Sequence, residues 1–255
     1  MRILITGTTG FVGHKLKASY KDAIAAPSLR NATQDMVKKI VEKSEADVVI
    51  HTAAISDIGT CQKDPQSSYF ANVQIPLYLA AACKDRKLIC FSSDQVYSAC
   101  KEEGPYIEEV VKPGNIYAEH KLEMEERVLE LVPSAVMLRA EWMYDYVSPK
   151  PNYFLNVLHA SQQVSFSSRQ FRGITYLKEV ENMDHVMTLP GGAYNFGSET
   201  TQSMYEITEQ FLQLLWKDVQ LQDALPRHNL WMNCEKARKY GVEFSDVSDG
   251  LKRCL

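Results

Sequence analysis

A tyrosine and a lysine four residues apart could form a proton-transfer pair. The sequence contains three Tyr-x-x-x-Lys pairs, which start at Tyr97, Tyr117 and Tyr146. Only Tyr117 and Lys121 lie in a run with convincing helical periodicity, where residues four apart share one side. A nearby ammonium favours the phenolate, so we expect Lys121 to lower the pKa of Tyr117 from about 10 towards a value useful for proton transfer. The alternative is a solvated pair on a helix surface.

Hydroxyl groups stand at the end of a predicted strand, in Ser92 and Ser93. Ligands of parallel α/β sheets bind outside the carboxyl ends of the strands, so we expect Ser93 to lie on the same edge as Tyr117. Ser93 would hold a carbonyl oxygen by a hydrogen bond while Tyr117 donates a proton. The alternative is ordinary turn chemistry for two serines at a strand end.

Three glycines, Gly7, Gly10 and Gly13, follow the apolar run at 3–6. Their spacing predicts a strand that turns sharply into the N-terminus of a helix. Free backbone N–H groups and the positive end of the helix dipole would favour the pyrophosphate of a dinucleotide. The alternative is an ordinary strand-to-helix turn.

Strand-like runs alternate with helical patterns, which predicts an α/β fold with a doubly wound parallel sheet. One helix is expected to begin after an N-cap at Thr33, and another to run over about 115–132, before Pro133. The expected strands lie near 2–6, 22–26, 47–51, 88–92, 135–139, 164–166 and 193–196.

The alternation loosens after about residue 146, and Pro149 and Pro151 mark a connection. A helix is expected at 203–215, and a short one after Asn233 that Gly241 ends. We therefore expect a dinucleotide-binding domain and a smaller C-terminal substrate-binding lobe. The first would comprise 1–146 with the strands near 164–166 and 193–196, and the second 147–163 and 197–255.

Composition excludes several classes of protein. The net charge of the 255 residues is −4 without a basic cluster, which argues against nucleic acid as a partner. No apolar stretch approaches the roughly 20 residues that span a membrane. The first predicted strand starts at the N-terminus, so we expect no signal peptide and a cytoplasmic location. The six cysteines include no Cys-x-x-Cys pair, which predicts reduced packing residues and no structural metal.

These motifs together resemble the extended short-chain dehydrogenases/reductases, and within that family the dTDP-4-dehydrorhamnose reductases. The matching segments occur in the right order from residue 1 to about residue 200, while the remainder matches only loosely. They are the glycine loop at 7–13, then 47–54, Asn72-Val73, 92–94, 105–108, 113–122, 138–144 and 194–197.

The resemblance implies an NAD(P)H-dependent reductase of a nucleotide-linked 4-keto sugar. Tyr117 would be the general acid, Ser93 would orient the carbonyl, and Lys121 would bond the nicotinamide ribose. Trp142 would face the sugar, although a tryptophan after a buried strand is as often part of the core. The cofactor would contact Gly7, Thr9, Gly10, Phe11, Val12, Ala53 and Ala54, together with Tyr117 and Lys121.

The chain also departs from its relatives. Sugar-nucleotide 4,6-dehydratases carry Thr-Asp-Glu where this chain has Ser93-Asp94-Gln95, and an amide cannot act as their base, which argues against dehydration. Ala118 and Met124 stand where glycines are usual, which weakens the expectation of the family's homodimer.

The end of the second predicted strand bears on the cofactor. It reads Ala26-Pro27-Ser28-Leu29-Arg30, without the acidic residue that usually bonds the ribose 2′-hydroxyl of NAD. Ser28 and Arg30 would instead contact a 2′-phosphate, so NADP(H) is favoured over NAD(H). Arg30 could equally stack on the adenine or face water.

Two other functions fit the same residues. A sugar-nucleotide epimerase would use the same three catalytic side chains with a tightly retained cofactor. A non-catalytic protein would resemble the regulatory beta subunit of methionine adenosyltransferase and bind a partner enzyme.

Overall fold

A parallel sheet of six strands lies at the centre of the described part of this computed structural model, residues 1–148, 150–181, 183–226 and 228–255. Pro149, one of the two prolines expected to mark a connection, lies outside the described residues. The predicted α/β doubly wound fold is confirmed. In spatial order the strands are β2 (Ile24–Ala25), β1 (Ile3–Thr6), β3 (Val48–His51), β4 (Lys87–Ser93), β5 (Val136–Ala140) and β9 (Gly192–Phe196).

The central strands are apolar on both faces because both faces are covered. Successive side chains of a strand point to opposite sides of the sheet, so Ile3 and Ile5 pack into one core cluster and Leu4 into the other. Every residue of β1 is buried. This is why the strands of this sheet are continuous apolar runs rather than alternating ones.

Helices cover both faces of the sheet, including those that the sequence predicts after Thr33 and over about 115–132. One face carries α2 (Gln34–Ser44), α5 (Ile75–Ala82) and α6 (Ile116–Leu131), and the other carries α1 (Phe11–Ser19) and α8 (Asp184–Thr188). Thr33 caps α2 as expected, since its hydroxyl accepts a hydrogen bond from the Met36 N–H at 3.3 Å. The predicted helix at 115–132 is confirmed as α6.

The expectation that a strand near 164–166 belongs to the central sheet is wrong. The strand exists as β7 (Gln163–Phe166), but it pairs in parallel with β10 (Gln220–Asp223), which the sequence pattern did not predict. Its residues alternate between exposed and half-buried. Such a strand cannot lie in a sheet whose two faces are both covered.

A third core cluster lies away from the central sheet. It is rich in aromatic residues such as Tyr144, Tyr153 and Phe211. The helix expected at 203–215 is α9 (Met204–Leu214), which Ser203 caps through a capping box. The other elements around this cluster are β6 (Trp142–Tyr144), paired with β8 (Ile174–Tyr176), and the helices α7 (Tyr153–Leu158) and α11 (Val247–Cys254).

The described structure also contains a π-helical turn, Phe70–Gln74, two 3-10 helices, Asp94–Tyr97 and Leu177–Glu181, and three short α-helices. These α-helices are α3 (Ile58–Lys63), α4 (Pro65–Tyr69) and α10 (Glu235–Arg238). The last is the short helix expected after Asn233, and Gly241 follows it with a φ of +80°. None of the described helices is long and apolar enough to cross a membrane. The separate aromatic core agrees with a second lobe, and the proposed domain boundaries stay a prediction.

Candidate functional site

The order of strands in the central sheet reverses between β1 and β3. The chain leaves β1 towards one edge of the sheet and continues from β3 towards the other. Such a reversal opens a crevice at the carboxyl ends of the two strands. The glycine loop follows β1 and the segment Thr52 to Ala54 follows β3, so both border this crevice.

The glycine loop packs so tightly that side chains would not fit. Gly7 has a φ of +69°, and a Cβ added there would lie 2.7 Å from the backbone nitrogen of Ala53. A Cβ on Gly13 would lie 2.3 Å from the Gly7 carbonyl oxygen. The Thr52 hydroxyl donates a hydrogen bond to the Thr6 carbonyl at 2.7 Å, which holds the segment after β3 against the start of the glycine loop. Glycine is therefore required at 7 for backbone conformation and for space, and at 13 for space alone.

The start of α1 offers backbone donors to an anion. Gly10 is the N-cap residue and has no side chain with which to cap the helix. Thr9 is exposed, while Phe11 and Val12 are half-buried in the first turn. The first N–H groups of a helix lack intrahelical partners and lie at the positive end of its dipole. The loop is thus shaped and polarised to fit a pyrophosphate.

Asn72, which the sequence indicated only as part of a matching segment, holds the opposite wall of the crevice. Its side-chain oxygen accepts a hydrogen bond from the Ile55 N–H at 3.2 Å, and its amide donates to the Ile55 carbonyl at 2.9 Å. Asn72 lies in a π-helical turn, Phe70–Gln74, a feature frequent at functional sites. Asn72 thereby fixes the backbone that follows Ala53 and Ala54.

Ser28 and Arg30, which are expected to contact the 2′-phosphate of the cofactor, lie after β2. Ser28 and Arg30 are both exposed, and the Arg30 N–H donates to the Ser28 hydroxyl at 3.4 Å. Ala53 is half-buried and Ala54 exposed.

Ser93, Tyr117 and Lys121 come together at the carboxyl edge of β4. All three are buried, with Ser93 at the end of β4 and the other two on α6. The Ser93 hydroxyl lies near enough to that of Tyr117 to oppose part of the rise in the Tyr117 pKa. The Lys121 ammonium donates to the Phe91 carbonyl at 2.7 Å and lies 5.8 Å from the centre of the Tyr117 ring.

The expected lowering of the Tyr117 pKa by Lys121 is wrong for this structure. Burial raises the pKa of Tyr117, because the phenolate loses its solvation, and the nearby Asp94 carboxylate raises this pKa further. Burial also lowers the pKa of Lys121 to about 8. Tyr117 is therefore protonated at neutral pH, which is the state required of a proton donor.

Tyr97, which begins another Tyr-x-x-x-Lys pair, has a structural role. Its side chain is fully buried. Its hydroxyl donates to the side-chain oxygen of Asn195 at 2.6 Å and accepts from Arg139 at 2.9 Å. The counting of pairs alone could not separate it from Tyr117.

Gln95 supports the helix that carries Tyr117. Gln95 is buried, and its side-chain oxygen accepts a hydrogen bond from the Asn115 amide at 3.2 Å. Asn115 is the N-cap of α6, where its own oxygen accepts from the Ala118 N–H at 2.9 Å. The residue that departs from the dehydratase pattern therefore connects the end of β4 to the start of α6.

Asp94 and Arg172 form a buried ion pair beside Ser93, with 2.5 Å between Oδ2 and Nη2. The guanidinium carbon of Arg172 lies 3.8 Å from the centre of the Trp142 ring, and the Trp142 side chain is 43% exposed. Trp142 is therefore exposed beside this ion pair and is not part of the core. Neither Asp94 nor Arg172 was singled out from the sequence.

A late segment of the chain supports this ion pair. Arg172 bridges in parallel to Leu230, and Tyr106 bridges to Met232. The Leu230 N–H donates to the carbonyl of Phe171 at 3.0 Å. This segment, residues 228–234, thus runs along two loops that border the site.

Glu141 is a second buried carboxyl group near the ion pair. It accepts hydrogen bonds from the Thr175 hydroxyl at 2.7 Å and the Ser198 N–H at 2.9 Å. Added Cβ atoms on Gly173 and Gly197 would lie 2.2 Å and 2.4 Å from atoms of its carboxyl group. Burial raises the pKa of Glu141 to about 8. Among the described residues, no group of three or more His, Cys, Asp or Glu could hold a metal ion.

The fold and the arrangement of these residues are those of the extended short-chain dehydrogenase/reductase class. The sequence model of the family described as the RmlD substrate binding domain matches residues 1–229. The chain therefore belongs to the RmlD substrate binding domain family, which confirms the resemblance to the dTDP-4-dehydrorhamnose reductases.

Individual relatives agree. A dTDP-4-dehydrorhamnose reductase of Mycolicibacterium smegmatis is 34% identical over 152 residues, 56% of this chain and 46% of that protein. One from Aggregatibacter actinomycetemcomitans is 26% identical over 224 residues, 80% of this chain and 76% of that protein. The chain thus matches less than half of the first relative's length and about three quarters of the second's.

A solved structure shares the fold. It is the dTDP-4-dehydrorhamnose reductase of Bacillus anthracis in complex with NADP, with a TM-score of 0.86 and 20% identity over 99% of this chain and 97% of that one.

Proposed function

We propose that this protein is an NADPH-dependent reductase of a nucleotide-linked 4-keto sugar. The observation that carries the proposal is the meeting of Ser93, Tyr117 and Lys121 at the sheet edge that also carries the glycine loop. Membership of a family that includes dTDP-4-dehydrorhamnose reductases supports the same reaction and the same class of substrate.

The cofactor would bind across the crevice. Its pyrophosphate would contact the backbone of Gly7 and Gly10 and the first turn of α1, with Ala53 and Ala54 along the opposite wall. Lys121 would hold the ribose of the nicotinamide. The bound nicotinamide supplies the hydride.

The residues of the chain handle the sugar carbonyl and its proton. The Ser93 hydroxyl would hold the carbonyl oxygen, and Tyr117 would give its proton to that oxygen as negative charge develops there. Tyr117 is protonated at neutral pH, as a proton donor must be in this direction of reaction. Trp142 would offer an apolar face to the sugar ring.

NADPH is proposed as the preferred cofactor because the segment after β2 has no acidic residue and exposes Arg30. A guanidinium pairs well with a phosphate, and an exposed one can reach the 2′-phosphate without losing a buried contact. The NADP complex of the Bacillus anthracis relative supports the choice.

A dehydratase is disfavoured by the contacts at positions 94 and 95, where the dehydratases carry their Asp and Glu. Asp94 is held in an ion pair with Arg172, and Gln95 is an amide that supports Asn115. No contact among the described residues of the site favours the epimerase or the regulatory subunit over the reductase. A homodimer, which the family resemblance implies, stays a prediction.

The test is a panel of keto-sugar nucleotides assayed with NADPH and with NADH, followed by the absorbance of the reduced nicotinamide. We expect oxidation of NADPH with at least one 4-keto sugar. A purified protein that retains stoichiometric nicotinamide and interconverts sugar epimers would replace the proposal with the epimerase. Stable co-purification with an enzyme, and no turnover with any keto sugar, would replace it with the regulatory subunit.

A further inference from the structure

We propose that Arg172 is a positioning residue that couples the sugar-facing Trp142 to the catalytic hydroxyl of Ser93. The proposal rests on the proposed reductase function. The Arg172 guanidinium contacts two groups, the Asp94 carboxylate beside Ser93 and the exposed indole of Trp142.

The first contact is with the carboxylate. Arg172 Nη2 lies 2.5 Å from Asp94 Oδ2, and both side chains are 3% exposed. The Ser93 hydroxyl donates to Asp94 Oδ1 at 3.2 Å and accepts from the Gln95 N–H at 3.2 Å. Ser93 has one proton, so the charge balance of Asp94 decides how strongly the carboxylate holds that proton in competition with Tyr117 or a substrate carbonyl.

The second contact is with the indole. The guanidinium lies over the Trp142 ring at 3.8 Å, a distance at which a planar cation both stacks and interacts with the π-electrons. Trp142 is nearly half exposed, so its solvent side leaves room for a change of rotamer. The Arg172 plane, itself fixed by Asp94, therefore sets the angle at which the indole meets the sugar.

Other charges surround the pair. Asp94 also interacts electrostatically with Glu141 and His228. Loss of the guanidinium would leave the Asp94 carboxylate buried without its closest positive charge. It would then either repel the phenolate of Tyr117 or take up a proton, and either change alters the hydrogen bond to Ser93.

The two contacts can be separated by substitution. Arg172→Lys keeps the positive charge and loses the planar surface. We expect it to raise KM for the sugar nucleotide roughly 3- to 30-fold, the range of one cation–π contact, with kcat close to that of the wild type. Arg172→Met loses both contacts, so KM should rise to the same extent and kcat should fall by about tenfold or more.

Charge balance is tested by a second change. In the double variant Asp94→Asn with Arg172→Met neither charge remains, and the amide oxygen introduced at position 94 can still accept from Ser93. We expect kcat to recover most of the loss caused by Arg172→Met, while KM stays raised. A double variant no better than Arg172→Met, or an Arg172→Lys variant that loses as much kcat as Arg172→Met, would overturn the proposal.

Arg139→Lys is the matched control. Arg139 is also buried, pairs with Glu125 at 2.7 Å and lies over an aromatic ring, that of Tyr97 at 5.5 Å. We expect it to change stability without changing KM for the sugar nucleotide. An equal rise in KM would show that the effect of Arg172→Lys is a general loss of packing, and would overturn the proposal.

A readout without turnover separates this proposal from the proposed function. With Trp216→Phe and Trp231→Phe as background, Trp142 is the sole tryptophan. Asp94→Asn should then alter acrylamide quenching of Trp142 fluorescence, because loss of the ion pair weakens the contact that orients the Arg172 guanidinium. Unchanged quenching would refute the coupling even in an active reductase. Absence of turnover in the wild type would refute the reductase and leave this result standing.

Discussion

The Lys121 ammonium lies 5.8 Å from the centre of the Tyr117 ring, one helical turn further along α6. Its hydrogen bond is made to the Phe91 carbonyl, within the strand that ends at Ser93. Lys121 therefore ties α6 to β4, and this contact holds the turn of the helix that carries Tyr117.

Tyr117→Phe should abolish turnover while leaving NADPH affinity nearly unchanged. The substitution removes the proton donor and keeps the ring, so we expect kcat to fall by about 10²–10⁴-fold, the usual contribution of general acid catalysis. Steady-state kinetics and NADPH titration measure the two effects. A phenylalanine variant with wild-type kcat would contradict the assignment.

Tyr97→Phe is the matched control for that variant. It removes a buried hydroxyl that bonds Asn195 and Arg139, so it should destabilise the fold by about 1–3 kcal/mol and leave kcat intact. Thermal unfolding and the same kinetic assay show which hydroxyl is structural and which is catalytic.

Gly13→Ala should weaken cofactor binding by about tenfold or more, because the added Cβ would meet the Gly7 carbonyl oxygen at 2.3 Å and shift the loop that faces the pyrophosphate. Gly59→Ala is the control, since its Cβ would lie 3.5 Å from the nearest side-chain atom, an ordinary contact. The measurement is the Kd for NADPH of both variants. Equal affinity of Gly13→Ala and the wild type would place the cofactor elsewhere.

Arg30→Glu should reverse the cofactor preference. A carboxylate at this exposed position repels the 2′-phosphate of NADPH and can accept a hydrogen bond from the 2′-hydroxyl of NADH. We expect the ratio of kcat/KM for NADPH over NADH to fall by about tenfold or more, at roughly 1.4 kcal/mol per factor of ten. An unchanged ratio would mean that Arg30 faces water.

Glu141→Gln should stabilise the protein at pH 8 and have little effect at pH 4. The pKa of Glu141 is about 8 in the folded protein, against 4.5 for an unperturbed glutamate, so the folded state holds the proton in a window where the unfolded state releases it. The wild type therefore loses stability as pH rises from 4.5 to 8, by on the order of 4 kcal/mol, and a neutral amide does not. Denaturant unfolding at several pH values gives the comparison.

Glu206→Gln should show the opposite dependence. The capping box in which Glu206 bonds Ser203 lowers the pKa of Glu206, so its stabilising effect is present at neutral pH and is lost on acidification. Parallel profiles for the two glutamine variants would contradict the role of burial at Glu141.

Local patterns predicted the elements that local interactions determine. The Thr33 cap, the helix that carries Tyr117 and the glycine loop each depend on neighbouring residues, and each is found at the predicted position. The strand near 164–166 was assigned to the wrong sheet because four residues of sequence do not identify a pairing partner. That partner, β10, has mostly exposed side chains and carries no strong strand signal.

The missed site residues depend on contacts between distant parts of the chain. Asp94 and Arg172 are 78 positions apart, and no periodicity connects them. The effect of burial on Tyr117 was also missed, because the helix alone shows the lysine one turn away and not the protein that covers both. The Ser-Ser-Asp run at 92–94 drew attention to Asp94 as part of a matching segment. It gave no indication that an arginine pairs with this carboxylate.

The segment at 228–234 has a consequence for the order in which the molecule is completed. During synthesis, β9 emerges first, and with it the central sheet has all its strands. Leu230 and Met232, which fix the loops of Arg172 and Tyr106, follow only later. A nascent chain can therefore expose all six strands of the central sheet and the glycine loop before the segment at 228–234 has joined the loops of Arg172 and Tyr106.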